Sequence, residues 1–494
     1  MTAHPIPNPQ SPFPTAIIGG GITGLTAAWE LQKAGVPYIL LEKSTRVGGK
    51  IQTDQFDGFG DAPFIIERAG DAFLAAQKPW AMELAYELGL DDEILTTNSV
   101  QPSVYILKNG ALVPVPAGLQ LIIPTNRDTF LASPLMSEDG KARALDEEMV
   151  DPYMGDDDES VADFVRRRLG DEAVEMLAEP LLSGIYSAHP EEQSLLATFP
   201  RYRQLEQKYG SLIGGVRKIV EEGRSRGVEK NGGPSTNSGA KGEREKRRDL
   251  TAFITFKGGT ETLVKALERQ LTSGVRLGVA VDGIERNGAD GYVLRLADGE
   301  SISAGQVLVT TPAAPAAKML QIVAPAAVEQ LQTLRVVSTG VVFLGYRRAD
   351  VTHPLNGFGV VIPRREGRSI NAMTWMTTKF DHRAPADHVL IRVFFGGART
   401  PEMMAKNDDE VTAIAQAELR ELIGLEAAPV LRRVYRWIDA QPQYDVGHLE
   451  RMKQIEESLP AGIQIAGSPY GGVGIPDCVR QGREAARSIV ASLR

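Results

Sequence analysis

Gly19, Gly21 and Gly24 stand in the order G-x-G-x-x-G between an apolar run, TAII, and a segment of helical periodicity, ITGLTAAWELQK. In that setting the first glycine permits a tight turn, the second lets a phosphate approach the backbone, and the third lets helix pack on strand. Gly20, Ile22 and Thr23 complete the turn and open the helix, whose N-terminus offers free N–H groups and a partial positive charge to an anion. A second apolar run, YILLE, ends at Glu42, where a carboxylate can accept hydrogen bonds from a ribose hydroxyl. The same charge repels a 2′-phosphate and so argues against NADP. Strand, glycine turn, helix and spaced acid together predict a dinucleotide site; the alternative is a turn that serves packing alone. No Ser-His-Asp set, metal-spaced histidine cluster or acid–base dyad accompanies it. No metal is expected, and catalytic residues stay unassigned.

The elements that must position this turn are legible from period and punctuation. Helical periodicity marks residues 80–90 and 160–182, and VYILKNGALVPVP alternates as a hairpin with Asn109-Gly110 at its turn. Eight carboxylates between Asp146 and Glu159, with no base among them, read as a solvated loop. Residues 223–249 lack apolar periodicity and read as a flexible surface insertion, its basic Lys246-Arg247-Arg248 nearly cancelled by acidic neighbours. Order returns with FITFKGGTETLVKALERQL, and a last strand, glycine-rich loop and helix close the chain. The expected division is a lead-in at 1–14, a discontinuous nucleotide domain at 15–90, 255–312 and 436–494, a helical and substrate region at 91–222, and a substrate domain at 313–435.

The chain has 494 residues, 43% apolar and 24% charged, with a formal charge of −9, the profile of a soluble globular protein. The acidic balance opposes nucleic-acid binding, which normally needs a basic excess. Cys478 is the only cysteine, which excludes an intrachain disulfide and CxxC motifs and fits a reducing cytoplasm. No apolar run approaches the roughly 20 residues of a membrane span, so integral insertion is not expected. The proline-rich N-terminus lacks the basic and apolar regions of a signal peptide. Oligomeric state is not readable.

After Glu42 comes KSTRVGGKIQT, with Arg46, Gly48 and Gly49. This resembles the R-x-G-G extension of GG-type flavoproteins, the amine oxidase and phytoene desaturase superfamily, as do FKGGTETLVKAL and GSPYGGVGIPDCVRQGREAA. The resemblance implies FAD as cofactor. It narrows with FIIERAGDAFL, PLLSGIY, SLLATFPRYRQLEQKYGSLI, PQYDVGHLER and GVGIPDC, which resemble the porphyrinogen oxidases of haem biosynthesis, most closely the soluble Gram-positive type. The likeness spans essentially the whole chain apart from the lead-in and the insertion.

That resemblance implies an α/β fold of the p-hydroxybenzoate-hydroxylase-like flavoproteins: a Rossmann-type FAD domain, an inserted mixed-sheet substrate domain and a helical region. It implies loss of six electrons from a porphyrinogen, coproporphyrinogen III before protoporphyrinogen IX, with oxygen as acceptor and peroxide formed. FAD contacts carried over are Gly19, Gly20, Gly21, Ile22, Thr23, Gly24, Glu42, Lys43, Arg46, Gly49, Lys50, Ala69, Gly70, Asp71, Ala72, Val281, Trp437, Val473, Gly474 and Ile475. The turn ERAGDAF departs from the family's E-x-G-P, Ala69-Gly70 standing for Gly-Pro. Tetrapyrrole propionates call for arginine or lysine, which makes Arg68, Lys78, Arg167 and Arg168 candidates, each equally readable as a surface charge. Trp375, Phe394 and Phe395 could wall a flat macrocycle, with ordinary core as the other reading. His448 is either a substrate contact or a structural hydrogen bond, and His189 reads as an exposed loop residue. Rival functions are a flavin amine oxidase and an assembly factor with a structural flavin; peripheral membrane contact through the helical region stays open.

Overall fold

The computed structural model describes residues 13–100, 102, 104–229, 251–288 and 291–493. Residues 1–12 of the lead-in and 230–249 of the expected insertion lie outside the described residues. The helix Leu212–Glu229 corrects the insertion's start, since it runs past residue 223.

The apolar strand Thr15–Ile18 is buried along its whole length, as a central parallel strand must be. It lies third in a five-stranded parallel sheet ordered Val275–Leu277, Tyr38–Glu42, Thr15–Ile18, Gln306–Val309, Ile463–Ile465. The helices Ile22–Lys33 and Ile475–Ser492 pack together on this sheet, and the first shares a core with Leu40, Leu308 and Val479. Their approach is close enough that a Cβ on Gly482 would lie 2.5 Å from the Thr23 carbonyl oxygen. Residues from both ends of the chain thus build one nucleotide domain, whose open crevice lies beyond the carboxyl ends of the strands.

A second, seven-stranded sheet runs Leu431–Pro442, Val336–Arg347, His388–Gly396, Ala372–Trp375, Gly359–Val361, Tyr105–Lys108, Ala111–Pro114. It is antiparallel except where Gly359–Val361 meets Tyr105–Lys108. Its last two strands form the expected hairpin, with Asn109 at φ 52° and Gly110 at φ 76° supplying the left-handed turn. The expected boundary between residues 435 and 436 falls inside Leu431–Pro442, so Trp437 belongs to this sheet. The helix Asp408–Ile423 covers one face with Val411, Ala415 and Leu419, and opens with a capping box of Asn407 and Glu410.

The helical region differs from its sequence reading in two ways. The helix expected over 160–182 stops at Leu169, where Gly170 takes φ 92°. It resumes at Asp171 and then widens into a π-helix, Val174–Ser183, around Pro180, whose ring cannot sit in an undistorted α-helix. The acidic stretch is not simply a solvated loop. Glu147 is fully buried against Arg168, and Glu159 pairs with Arg167 and Arg203. Isolated buried charges would be too costly to keep, so the two sequence features, acids at 146–159 and arginines at 166–168, explain each other. Among the described residues, no helix is long and apolar enough to cross a membrane.

Candidate cofactor and substrate site

The glycine turn leaves Ile18 and does what the spacing requires. Gly19 takes φ 110°, and a Cβ there would lie 2.8 Å from Thr310 Oγ1. A Cβ on Gly24 would stand 2.0 Å from the Gly19 carbonyl oxygen, so only glycine lets the helix start this close to the strand. At Gly21 the situation reverses: a Cβ there would meet no protein atom within 4 Å, and the space it would enter lies at the start of Ile22–Lys33. Protein does not fill this cradle, which suits a phosphate.

Glu42 closes the cradle from the neighbouring strand. Its Oε2 accepts from the Gly20 N–H at 2.7 Å, and its Oε1 accepts from the Ser44 N–H and Oγ. Val279 N–H donates to the Glu42 carbonyl, which brings Val281 to the same corner. Lys43 is exposed beside it. The R-x-G-G loop folds against the turn, Gly48 N–H donating to Gly20 O at 2.7 Å. Arg46 donates to Val47 O and Gly49 O and sits 3.7 Å from Glu261. Its guanidinium therefore shapes the loop from within.

Lys50, at the end of that loop, is half-buried; its ammonium donates to Ala440 O at 2.6 Å and meets no carboxylate within 4.0 Å among the described residues. Burial pushes its pKa down. From here contacts link this loop to the turn after Glu67. Arg68 N–H donates to Gln52 O, two residues beyond Lys50, and Trp437 Nε1 donates to Arg68 O at 2.8 Å. Lys78 joins Asp477 at 2.6 Å in the first turn of Ile475–Ser492. Val473 and Gly474 lead into that helix, whose N-terminus at Ile475 carries a positive dipole that favours negative charge.

The turn from Ala69 to Ala72 is tied from the substrate sheet. Lys379 Nζ lies 2.7 Å from Asp71, and Arg392 lies 3.4 Å from it while donating to Ala69 O at 2.5 Å. Burial alone would raise the Asp71 carboxyl, but these two cations outweigh it and hold it down at about 2. Glu67, just before the turn, is fully buried and accepts from Thr53, from Thr260 Oγ1 and from Thr260 N–H. Burial pushes its carboxyl up to about 7 despite Arg383. Gly259, at φ 90°, is what lets Thr260 reach it, since a Cβ there would lie 2.5 Å from Glu67 Oε1.

The substrate candidates fare differently. Arg68 is held by both oxygens of Asp54 at 2.9 and 2.8 Å, and Lys78 by Asp477. Arg167 and Arg168 are consumed by Glu159, Glu206 and Glu147 in the helical region. All four are engaged in ion pairs within the protein. Trp375 is fully buried beside Tyr105 and His353, and Phe395 is buried over Gly340. Both are core rather than pocket wall. Phe394 is half-buried, with the Arg392 guanidinium 4.4 Å over its ring. His448 resolves to the structural alternative: buried, stacked 4.1 Å from Tyr444, with Nε2 3.2 Å from Tyr470 O, its pKa lowered by burial. Tyr444 in turn accepts from Gly472 N–H, so His448 props the loop that leads to Val473. His189 lies 3.3 Å from Arg364 in an exposed contact. Sequence reasoning missed Lys379, Arg392 and Thr260. Arg392 carried a signal, a lone charge in the apolar strand HVLIRVFFG.

A parallel sheet whose glycine turn, acid and second loop cradle a dinucleotide beside a mixed-sheet domain defines an FAD-type oxidoreductase. The family described as flavin containing amine oxidoreductase matches residues 22–490, and the chain belongs to it, among its porphyrinogen oxidases. It is 37% identical to coproporphyrinogen III oxidase of Bacillus subtilis, over 95% of this chain and 96% of that one. With the Staphylococcus aureus coproporphyrinogen III oxidase it shares 32%, over 97% and 99%. A crystal structure of a candidate protoporphyrinogen oxidase from Exiguobacterium sp. 255-15 superposes with a TM-score of 0.81 at 32% identity, covering 97% of this chain and 99% of that one. Putrescine oxidase, at 18% identity and a TM-score of 0.67, with the same 97% and 99% covered, shares the fold. The cofactor is FAD, and the open cradle at Gly21 and the half-buried Lys50, with no carboxylate partner among the described residues, fit it.

Proposed function

We propose that this chain oxidises coproporphyrinogen III to coproporphyrin III, in preference to protoporphyrinogen IX, in a reducing cytoplasm and with molecular oxygen as terminal acceptor. The observation that carries this is the full-length likeness to coproporphyrinogen III oxidases on a chain whose dinucleotide cradle is intact. Six hydrogens leave the macrocycle as three pairs, and three oxygen molecules become three of hydrogen peroxide. FAD, when bound, supplies the two-electron acceptor for each pair. The protein's share is binding, orientation and electrostatics. Gly19 to Gly24 and the loop to Gly49 would hold the pyrophosphate, and Glu42 the ribose. Lys50 and the N-terminus of Ile475–Ser492 supply positive potential where negative charge collects on reduction.

Anaerobic mixing of the FAD-loaded protein with coproporphyrinogen III tests this. The expected result is bleaching of the visible flavin band without oxygen, then recovery of the band and growth of porphyrin fluorescence on admitting air. Bleaching by a primary amine, and by neither porphyrinogen, would transfer the chain to amine oxidation. A flavin that no substrate bleaches would leave the structural-flavin alternative.

A further inference from the structure

We propose that Arg392 is a positioning residue for the oxidation. With Trp437 and Thr260 it pins the carbonyls of the turn from Arg68 to Gly70 to the protein, so that the turn's N–H groups face the flavin-side space.

Each carbonyl of the turn is taken by a different part of the chain. Arg68 O accepts from Trp437 Nε1 at 2.8 Å, Ala69 O from Arg392 Nη2 at 2.5 Å, and Gly70 O from Thr260 Oγ1 at 3.3 Å. Trp437 and Arg392 stand on strands of the substrate sheet, and Thr260 precedes the helix Glu261–Gln270. The donors behave oppositely. Among the described residues, the N–H groups of Ala69, Gly70 and Ala72 donate to no protein acceptor. A backbone whose successive carbonyls are engaged while the amides of Ala69, Gly70 and Ala72 are left to other acceptors is an acceptor-binding edge.

That edge is tied to the loop that carries Lys50 and to the strand that carries Trp437, through Arg68 N–H on Gln52 O and Trp437 Nε1 on Arg68 O. Arg392 is the central anchor because it does two things at once. It holds Ala69 O, and with Lys379 it fixes the Asp71 carboxylate that ends the turn. It is itself 4% exposed and held between Phe394 and Phe343, which restricts its movement. Without proline in the Ala69-Gly70 pair, the turn has less stiffness of its own, and the anchors must supply it.

The proposal rests on the FAD oxidase reading above, and its test separates the two. Arg392→Met keeps the volume and leaves Asp71 its lysine; Trp437→Phe removes a different anchor and keeps the ring. Each is purified with FAD and compared with wild type for flavin absorption band shape, midpoint potential, FAD Kd, and rate of reduction by coproporphyrinogen III. Both variants should retain FAD within about threefold in Kd, since the pyrophosphate cradle is untouched. Their flavin bands should shift, and reduction should slow by roughly ten- to a hundredfold in Arg392→Met, the scale expected for a slightly misplaced reacting partner. The slowing should appear in kcat more than in KM. Folded, FAD-loaded variants with wild-type band shape, potential and reduction rate would overturn the proposal. If Arg392→Met does not fold, Trp437→Phe carries the same decision. A wild-type protein that takes up no FAD would instead refute the oxidase reading itself.

Discussion

Gly21→Ala separates a residue required by the cofactor from one required by the fold. Gly21 takes φ −70° and ψ 175°, a conformation alanine adopts freely, and the added Cβ would meet no protein atom within 4 Å. The cost to folding is confined to a poorer helix N-cap, about 0.5–1 kcal/mol. The methyl group does, however, occupy the surface that a phosphate must approach. Loss of backbone contact with a charged group predicts about 3 kcal/mol of binding, roughly a hundredfold in FAD Kd. Gly24→Ala is the contrasting case, because its Cβ would lie 2.0 Å from Gly19 O, a backbone atom that cannot move aside cheaply. Overpacking of that kind costs about 1–3 kcal/mol or more, here taken from the apoprotein itself. The assay is apoprotein thermal unfolding followed by FAD titration through flavin fluorescence quenching. Gly21→Ala should unfold close to wild type and bind FAD weakly, while Gly24→Ala should unfold early. Wild-type FAD affinity in Gly21→Ala would show that the pyrophosphate does not lie on this turn, and would refute the placement.

Glu67 makes stability depend on pH. Its folded pKa of about 7 lies above the ordinary 4.5, so the folded state holds a proton that the unfolded chain has lost between those values. Its contribution is therefore fully present below about pH 4.5 and falls away as pH rises through 7, by up to about 3 kcal/mol. Glu67→Gln should flatten the fall in Tm between pH 5 and 7.5, roughly, relative to wild type; parallel curves for the two proteins would contradict the assignment. Arg168→Met leaves Glu147 buried without its guanidinium and should cost about 3–5 kcal/mol, read as an earlier denaturant midpoint with FAD still bound. A midpoint within error of wild type would show that the pair carries little. Burial pushes the Cys478 thiol up to about 11, so it stays protonated and unreactive. Native protein should resist iodoacetamide until unfolded, and Cys478→Ala should turn over as wild type does; rapid native alkylation would contradict this.

What the sequence disclosed and what it withheld divide along contact distance. The cradle from Gly19 to Gly24 is a local device, its strand, turn and helix written within consecutive residues, and Glu42 follows at the end of the next strand. Period and glycine placement suffice there, and they suffice again for the hairpin at Asn109-Gly110. The clamp on Asp71 could not be read in that way, because Lys379 and Arg392 lie 308 and 321 positions away. The same long-range pairing was hidden from the search for propionate anchors. Arg68, Lys78, Arg167 and Arg168 look free along the chain, and each is neutralised by a carboxylate that only the fold brings near. Trp375 and Phe395 sit in strands whose neighbours are equally apolar, so nothing in the pattern distinguishes a pocket wall from core. The break at Gly170 had a visible glycine, yet the π-helix beyond it depends on how Pro180 is accommodated in the packed region.

The most direct measurement of the central claim is steady-state porphyrin fluorescence in air. FAD-loaded protein is supplied separately with coproporphyrinogen III and protoporphyrinogen IX, and hydrogen peroxide is followed in parallel. The prediction is enzyme-dependent coproporphyrin formation well above autoxidation, three peroxides for each porphyrin, and a slower rate with protoporphyrinogen IX. A yellow, folded protein that leaves both porphyrinogens at their autoxidation rates would contradict it.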